Sequence, residues 1–335
     1  MSNTTIATVN REAELLALFT QLIQVVSQVL DGLMWIIGNF GAICTCIVFS
    51  RATFRKSPCA MYFTASSFSQ LFIFNFAVFI RMIQYGYNIP VNSVPSWFCR
   101  LRFYIFYVSG ASARYNIVFA AVDRFFCSCQ SVRLRRWSSS KVALCLIIID
   151  AIIWALFYIQ VLVFFDVKND KCRIHVADIM IYFNFYLTIE NGFLPIIPML
   201  IFGLLTIRNI RQSRQRVKAM ETTTGGTVSN TSKQPLSSTP RKEVQLHKML
   251  INQVVVYVIL NLPYPVYNIY RTYAGVSSFT GSRAAIDTFV NNLCFDMIYL
   301  CFALTFLNFL LTSSMFRREL KQILCGYRQR IAPIS

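Results

Sequence analysis

Seven long apolar segments follow one another along the chain, separated by shorter stretches in which polar and charged residues gather. A helix needs about 20 mainly apolar residues to cross the hydrocarbon core of a bilayer, and its backbone polar groups must be bonded within the protein. The pattern therefore predicts an all-α membrane protein, a seven-transmembrane helix bundle. The predicted spans are 24–49, 59–83, 98–122, 142–165, 179–207, 249–270 and 288–312.

The segments around these spans give the predicted domain organisation. Residues 1–21 are expected to form the N-terminal segment, residues 22–313 the bundle, and residues 314–335 a short amphipathic eighth helix and a tail. No cleavable signal peptide is expected, because residues 1–30 lack a basic start and a compact apolar run. Between the fifth and sixth spans the chain is rich in Ser, Thr, Gly and Pro, which predicts a disordered loop at about 215–242.

Composition supports a membrane protein and argues against a soluble one. Of the 335 residues, 56% are hydrophobic and only 14% are charged, whereas soluble domains carry about 25% charged residues. The net charge of +18 does not indicate a nucleic-acid partner, because long apolar blocks interrupt the basic residues. Basic loops on one side of a lipid bilayer explain the charge better.

The basic residues are distributed unevenly between the two sides of the predicted bundle. The loops after the first, third and fifth spans, together with the tail, hold 22 of the 32 Lys and Arg residues, and the opposite side holds nine. Cytoplasmic loops carry such an excess. The distribution therefore predicts an extracellular N-terminus, and it places the sequon at Asn3 outside, where glycosylation is expected.

A set of residues, about one in each span, occurs in a characteristic order. Cys99 begins the third span, 25 residues before Arg124 at its end, and Cys172 lies in the loop after the fourth span. The other members are Gly38-Asn39, Asp123-Arg124-Phe125, Trp154, Pro195, Pro263 and Phe316-Arg317-Arg318-Glu319-Leu320. Over residues 22–325 this order resembles the rhodopsin-like, class A G protein-coupled receptors, in a divergent form similar to invertebrate neuropeptide receptors.

The resemblance implies a receptor of the plasma membrane rather than an enzyme. It implies an extracellular ligand, a heterotrimeric G protein, arrestin and kinases as partners, and neither a cofactor nor a metal. Cys99 and Cys172 are expected to form a disulfide that holds the outer loop over the bundle. Cys325 is a candidate for palmitoylation, which would anchor the eighth helix to the membrane.

The same resemblance assigns a switch to the cytoplasmic end of the third helix. Asp123 is expected to hold Arg124 through a charge-assisted bond, with Phe125 in the position of the family's Tyr. Glu243 is expected to latch the sixth helix to Arg124, although a solvated charge is the alternative. Release of Arg124 would admit the C-terminal helix of a G protein between the helices. Bends in the fifth and sixth helices at Pro195 and Pro263 would let the sixth helix swing outward.

Several interior positions depart from the family pattern. The departures are Gln70 for the sodium-binding Asp of the second helix, Asn261 for the Trp of the sixth, Gly203 for the Tyr of the fifth, and Thr305-Phe306-Leu307-Asn308-Phe309 for Asn-Pro-x-x-Tyr in the seventh. Sodium regulation is therefore not expected, and the activation relay must differ. Asn39 matches the family pattern, and the resemblance implies that its side chain bridges two helices.

Arg114 lies in the middle of the third span, ten residues before Arg124. A charge at that depth costs several kcal/mol unless it is paired, so it marks a functional site. Glu190, one turn before Pro195, is the favoured partner and Asp296 the second candidate. We expect the pair to replace part of the missing switch. The alternative is that Arg114 extends towards internal water.

The ligand class follows from the outer halves of the spans. Phe106 occupies the position of the Asp that amine receptors use, and the seventh span has no Lys for retinal. Basic and aromatic residues at the outer rim favour an acidic or C-terminally amidated neuropeptide, or another anionic ligand. An interfacial aromatic belt with solvated charges is the alternative. The predicted pocket residues are Arg81, Arg102, Phe106, Tyr264 and Asn268.

Two other functions remain open at this stage. A secondary transporter would use intramembrane charges such as Asp150, but the sequence has no inverted repeat. A chemosensory or decoy receptor that couples weakly would also fit the altered switches. An enzyme is disfavoured, because the only histidines, His175 and His247, lie on opposite sides of the predicted membrane.

Overall fold

The computed structural model describes residues 3–89, 95–168, 171–223, 241–274 and 280–331. Within these residues the fold is a helix bundle, and seven of its helices are long and apolar enough to cross a membrane. The predicted fold class is therefore confirmed.

Several of the long helices contain a π-helical turn or a break, so their bounds are given in parts. The helices are α1 (Asn3–Val26, Ser27–Asp31 and Gly32–Phe49), α2 (Pro58–Ile73, Phe74–Val78, Phe79–Arg81 and Met82–Gly86), α3 (Ser96–Ser128), α4 (Ser140–Phe157 and Ile159–Phe164), α5 (Ala177–Thr188, Ile189–Phe193 and Leu194–Thr223), α6 (Arg241–Asn261 and Pro263–Tyr273), α7 (Gly281–Thr312) and α8 (Ser314–Ile331). One helical turn, Val132–Arg135, lies between α3 and α4.

A short antiparallel hairpin lies between α4 and α5. Its strands are β1 (Phe165–Lys168) and β2 (Lys171–Ile174), and Val167 pairs with Cys172. The hairpin marks one end of the bundle, which we call the hairpin end. Because the seven helices alternate in direction, α8 lies at the opposite end, which we call the α8 end.

Two helices extend beyond the predicted apolar spans. The first begins at Asn3 rather than near residue 24, and α5 continues to Thr223, into the loop predicted from 215. Hydropathy marks the length that crosses lipid, whereas Arg, Gln, Lys, Ala, Met and Glu continue a helix beyond it. Most of the predicted disordered loop, residues 224–240, lies outside the described residues.

The outer surface of the bundle is apolar. Along Ser140–Phe157 of α4, only Ala143 and Asp150 are buried. The exposed apolar side chains of this segment include Leu144, Ile148, Ile149, Ile152, Ile153 and Leu156. A soluble monomer rarely exposes so large a contiguous apolar surface. The exposed face of α4 therefore fits a lipid environment.

The core is aromatic towards the α8 end. The rings of Phe49, Phe63, Phe309 and Phe316 contact one another, with the Phe63 and Phe309 centroids 4.8 Å apart. Phe316 lies in the first turn of α8 and is fully buried. Its burial docks α8 against α1 and α7, while Arg317 and Arg318 on the same helix remain exposed. The predicted amphipathic eighth helix is thus present.

Candidate functional site

A buried ion pair lies at the centre of the bundle, between α3 and α5. Arg114 Nη2 donates to both carboxylate oxygens of Glu190, at 2.9 and 3.0 Å, and both side chains are at most 6% exposed. Tyr158 of α4 donates to Glu190 Oε2 at 2.9 Å. Glu190 lies in the π-helical turn of α5. The structure therefore places Glu190, not Asp296, beside Arg114.

A second polar contact, close to this pair, joins α4 to α3. Asp150 accepts a hydrogen bond from Asn116 of α3 at 3.2 Å and one from Trp154 at 2.9 Å. The Trp154 ring also lies against Tyr115 of α3, with centroids 4.6 Å apart. Asp150 is thus part of the α3–α4 packing.

Asp296 pairs with Arg81 nearer the hairpin end. The Arg81 guanidinium lies 3.0 Å from Asp296 Oδ1 and donates to Asn292 of α7 at 3.4 Å. Asp31, at the end of the π-helical turn of α1, is fully buried and interacts electrostatically with both Arg81 and Asp296. The sequence predicted Arg81 as a pocket residue at the outer rim, with a solvated charge as the alternative. The structure buries it between α2 and α7, where Asp296 balances its charge.

At the α8 end, Asp123 and Arg124 form a closed contact at the end of α3. Arg124 Nη2 lies 2.6 Å from Asp123 Oδ2, and Arg124 is 1% exposed. Ser138, beyond the α3–α4 turn, donates to the other Asp123 oxygen at 2.6 Å. Phe125 packs on Phe202 of α5, with centroids 5.4 Å apart. The side chain of Glu243, in the first turn of α6, lies outside the described residues.

An amide side chain ties α6 to the start of α8. Gln245 Oε1 accepts from Ser313 Oγ and from the Met315 backbone N–H, each at 2.8 Å. Its Nε2 donates to Ser314 Oγ at 2.7 Å. Sequence reasoning did not identify Gln245, because nothing in the local pattern distinguishes it from other polar residues of α6.

A further amide network joins α6 to α7 at the position of the family's Asn-Pro-x-x-Tyr. Asn308 donates to Gln253 Oε1 at 2.8 Å and accepts from Asn252. Gln253 in turn donates to Thr305 at 3.2 Å. The altered motif therefore holds α7 against α6 by side-chain hydrogen bonds.

The remaining interior amides make short-range contacts. Asn39 of α1 accepts from Asn75 of α2 at 2.8 Å, so it bridges two helices. Gln70 donates to Ser66 within α2 at 3.2 Å, and Asn261 donates to the Tyr257 carbonyl within α6 at 3.0 Å. Asn261 also contacts the Cys301 thiol of α7 through a side-chain hydrogen bond, whereas the Gln70 bond stays within α2.

The two predicted bends coincide with helix irregularities. The first part of α6 ends at Asn261, and the second begins at Pro263. Pro195 lies two residues after Phe193, the last residue of the π-helical turn of α5, and is the second residue of Leu194–Thr223. Since proline lacks an N–H, each removes one backbone bond from the helix.

The hairpin end is closed by a disulfide and an ion pair. Cys99 of α3 is bonded to Cys172 of β2, with their Cα atoms 5.9 Å apart. Arg100 donates to the Phe165 carbonyl at 2.9 Å and lies 3.6 Å from Asp166. A hydrogen bond from the Ser96 side chain is the main cause that lowers the pKa of Asp166. These contacts hold the hairpin over α3.

A cavity of about 210 Å³ lies beneath the hairpin, between α2, α3 and α7. Arg81, Arg102 and Phe106 line it, together with Cys172 of the disulfide. Three of the five predicted pocket residues therefore face one space. Phe106 also lines a smaller cavity of about 20 Å³, deeper in the bundle, with Tyr264 and Arg114.

Asn268 lines neither cavity. It donates to Thr188 Oγ1 at 2.6 Å and to the Asn184 carbonyl at 3.1 Å. Its side chain ties α6 to α5, and its role as a pocket residue stays a prediction.

Of the two predicted modification sites, the structure describes the side chain of one. Cys325 is exposed on α8, as acylation requires, and palmitoylation stays a prediction. Asn3 begins α1, but its side chain lies outside the described residues.

A family model described as "7 transmembrane receptor (rhodopsin family)" matches residues 38–315. The match runs from the Gly38-Asn39 pair of α1 to the first turn of α8, and so it includes α2 to α7. A search of curated proteins gave no match.

Proposed function

This chain belongs to the rhodopsin family of seven-transmembrane receptors, and from that premise we propose that it binds an extracellular neuropeptide and activates a heterotrimeric G protein. As a member of this family it is a multi-pass receptor of the plasma membrane and not an enzyme. In the proposed mechanism the ligand binds at the hairpin end. The G protein binds at the α8 end, to α3, α5 and α6.

The observation that carries the proposal is the closed contact at the α8 end of α3. Arg124 is almost fully buried and lies 2.6 Å from Asp123, which Ser138 holds from its other side. A buried guanidinium held by an adjacent carboxylate is a resting arrangement, because in it the arginine is withheld from an incoming helix. Activation would turn Arg124 towards the G protein's C-terminal helix.

The contacts of α6 define what must break for that to happen. Gln245 ties the α8 end of α6 to Ser313, Ser314 and Met315, and Asn308 ties α7 to α6 about two turns deeper. An outward swing of α6 about its break before Pro263 would cost these hydrogen bonds. Each hydrogen bond contributes about 1 kcal/mol. The resting state is therefore held by several weak interactions, whose loss ligand binding can offset.

The path between the two ends runs through the Arg114–Glu190 pair. Tyr107 lines both cavities and stacks on Tyr158, with centroids 5.3 Å apart. Tyr158 in turn donates to Glu190, the partner of Arg114. A ligand that displaces Tyr107 would therefore act directly on the ion pair, and we propose that this relay replaces the family switch residues that the chain lacks.

The lining of the large cavity supports a peptide rather than an amine. Phe106 lies in it where an amine receptor carries Asp, and two arginines and several aromatic side chains surround the space. Aromatic and Arg side chains provide most of the affinity in peptide and protein recognition. The cavity opens beneath a hairpin that a peptide chain can contact.

The decisive experiment measures nucleotide exchange on purified G proteins by membranes from cells that express the chain, with and without a neuropeptide library. Wild type is expected to give a basal or peptide-evoked signal, and Arg124→Ala is expected to abolish it. Arg51→Ala is the matched control, since Arg51 also lies at the α8 end but is half exposed and bound only loosely to Glu319 at 3.6 Å. Surface-expressed wild type without any signal would contradict the proposal.

The relay has its own test. Arg114→Glu and Glu190→Arg are each expected to abolish signalling, because each places two like charges side by side in a low-dielectric interior. The double variant restores opposite charges and is expected to recover signalling at least in part. Failure of the double variant to recover, at normal surface expression, would count against the pair as the relay.

A further inference from the structure

The large cavity beneath the hairpin carries an excess of positive charge. Arg81 and Arg102 both line it, with Gln84, Tyr85, Asn291, Asn292 and Tyr299 as the other polar lining residues on α2 and α7. Among the residues that the structure describes, no Asp or Glu lines the cavity. Each polar side chain that lines the space carries at least one hydrogen-bond donor, and the two guanidinium groups can only donate, so the cavity suits a ligand group that accepts.

The two arginines differ in how their charges are balanced. Arg81 is paired with Asp296 at 3.0 Å, and Asp31 adds a second carboxylate to its surroundings. Arg102 is equally buried, at 8% exposure, but within the described part of the chain no carboxylate pairs with it. Its guanidinium carbon lies 4.9 Å from the centre of the Phe103 ring, and its electrostatic neighbours are Tyr85, Tyr107, Tyr299 and Arg81. Its charge thus faces the cavity without an anionic partner.

We propose that Arg102 binds a carboxylate group of the ligand in this cavity, with Arg81 and the Tyr85 and Tyr299 hydroxyls around it. A buried charge is stable when it is paired and hydrogen-bonded, and a guanidinium meets a carboxylate through two parallel bonds. A free carboxylate satisfies both conditions, whereas the carboxamide of an amidated peptide brings no charge. The inference deepens the proposed function and rests on it for the biological source of the ligand.

The size of the cavity restricts what enters it. Pockets that hold drug-sized ligands measure about 300–1,000 Å³, and this cavity measures about 210 Å³. The cavity therefore accepts the acidic end of a ligand, with one aromatic or aliphatic group against Phe103, Phe106 and Phe295. The carboxylate is that of a peptide C-terminus or of a small organic acid.

The test uses purified full-length receptor in lipid nanodiscs and follows thermal unfolding as each probe is titrated. The probes are 3-phenylpropionate, which stands for a small acid, and N-acetylphenylalanine, which stands for a peptide C-terminus. Each is compared with its own neutral amide, at ionic strength matched with sodium chloride. A ligand that binds the folded state raises the unfolding temperature with concentration. We expect at least one acid to do so and neither amide, and the acid that binds more tightly identifies the source.

Three variants assign the effect to Arg102. Arg102→Gln is expected to lower the affinity for the acid at least about tenfold, since it removes the charge of a charge-assisted bond. Arg102→Lys keeps the charge but loses the two-bond geometry, so an intermediate loss is expected, and it serves if the Gln variant does not fold. Arg100→Gln is the matched control two residues away, and less than a twofold change is expected because Arg100 is bound to the hairpin.

Two results would overturn the inference. One is that neither acid stabilises the receptor more than its amide. The other is that the stabilisation persists in Arg102→Gln. Neither depends on a G protein, so a receptor that signals but shows no preference for acids refutes the carboxylate site alone. Conversely, acid binding without nucleotide exchange refutes the proposed coupling and leaves the site in place.

Discussion

Three buried arginines, Arg81, Arg114 and Arg124, each have a carboxylate partner, and each partner lies on a different element or at a different depth. A buried ion pair contributes little net stability, because desolvation of both groups offsets their attraction. Apolar side chains of similar size would pack as well. The presence of three pairs at successive depths, from the hairpin end to the α8 end, is therefore better explained by function than by stability.

Removal of one partner of the Arg114–Glu190 pair should be far more costly than removal of both. Glu190→Gln keeps the hydrogen bond from Tyr158 but leaves the guanidinium unpaired, and we expect a loss of about 3–5 kcal/mol. Glu190→Gln combined with Arg114→Met removes both charges and should recover most of that loss. Thermal unfolding of the purified variants, analysed as a double-mutant cycle, measures the coupling.

An exposed pair gives the control for this cycle. Asp166→Asn breaks the contact with Arg100, in which both side chains are more than a third exposed, and no resolvable change in unfolding temperature is expected. A double variant no more stable than Glu190→Gln alone would show that the pair is not coupled as the structure indicates.

At the scale of the helices, two of the π-helical turns, one in α1 and one in α5, carry a buried carboxylate. Asp31 closes the π-helical turn of α1, and Glu190 lies within that of α5. Such turns are found frequently at functional sites, because the extra residue re-aims side chains. Both carboxylates point into the bundle, towards Arg81 and Arg114 respectively. The turns therefore serve to bring a charge to the interior from helices whose other faces are apolar.

Close helix packing depends on small residues at the crossings. An added Cβ at Gly41 of α1 would lie 2.6 Å from Phe306 Cβ of α7, whereas one at Gly203 of α5 would meet nothing within 4 Å. Gly41→Ala must separate the two helices, and we expect a loss of about 1–3 kcal/mol from overpacking. Gly203→Ala should be neutral or more stable by up to about 1 kcal/mol, because Ala favours the helix.

The two alanine variants add the same methyl group to a helix, so their difference in unfolding temperature isolates the crossing. Equal unfolding temperatures would contradict the close packing of α1 against α7 at Gly41 and Phe306.

The α6–α8 contact predicts a gain of activity. Gln245→Ala removes three hydrogen bonds between α6 and the start of α8. At about 1 kcal/mol for each bond, less the bonds that water replaces, the resting state should lose about 1–2 kcal/mol. We therefore expect basal nucleotide exchange to rise several-fold without ligand. Gln322→Ala, at an exposed position of α8, is the control and should leave basal exchange unchanged. An equal rise in both variants would show that the Gln245 hydrogen bonds do not hold the resting state.

At the scale of the whole molecule, the sequence predicted those features that depend on composition over many residues. Seven spans and the helical fold are present in the structure, and so is the Cys99–Cys172 disulfide, which the family resemblance and not the composition implied. Helix ends were missed, because hydropathy reports the length in lipid and not the length of the helix. The partner of Arg81 and the role of Gln245 were missed because each depends on a residue from another helix, and no local pattern records such a contact.

The orientation of the molecule in the membrane is the remaining global prediction. With 22 of 32 basic residues on the α8 side, anionic lipid at the cytoplasmic leaflet stabilises that side by about 1 kcal/mol for each residue near the surface. An epitope fused before Met1 should therefore be labelled by antibody on intact cells. One fused after Ser335 should be labelled only after permeabilisation. Asn3→Gln should also remove any shift in mobility caused by glycosidase treatment. Labelling of the C-terminal epitope on intact cells would show that the topology is the reverse of the predicted one. The Arg124 contact would then lie on the side of the membrane where no G protein can reach it.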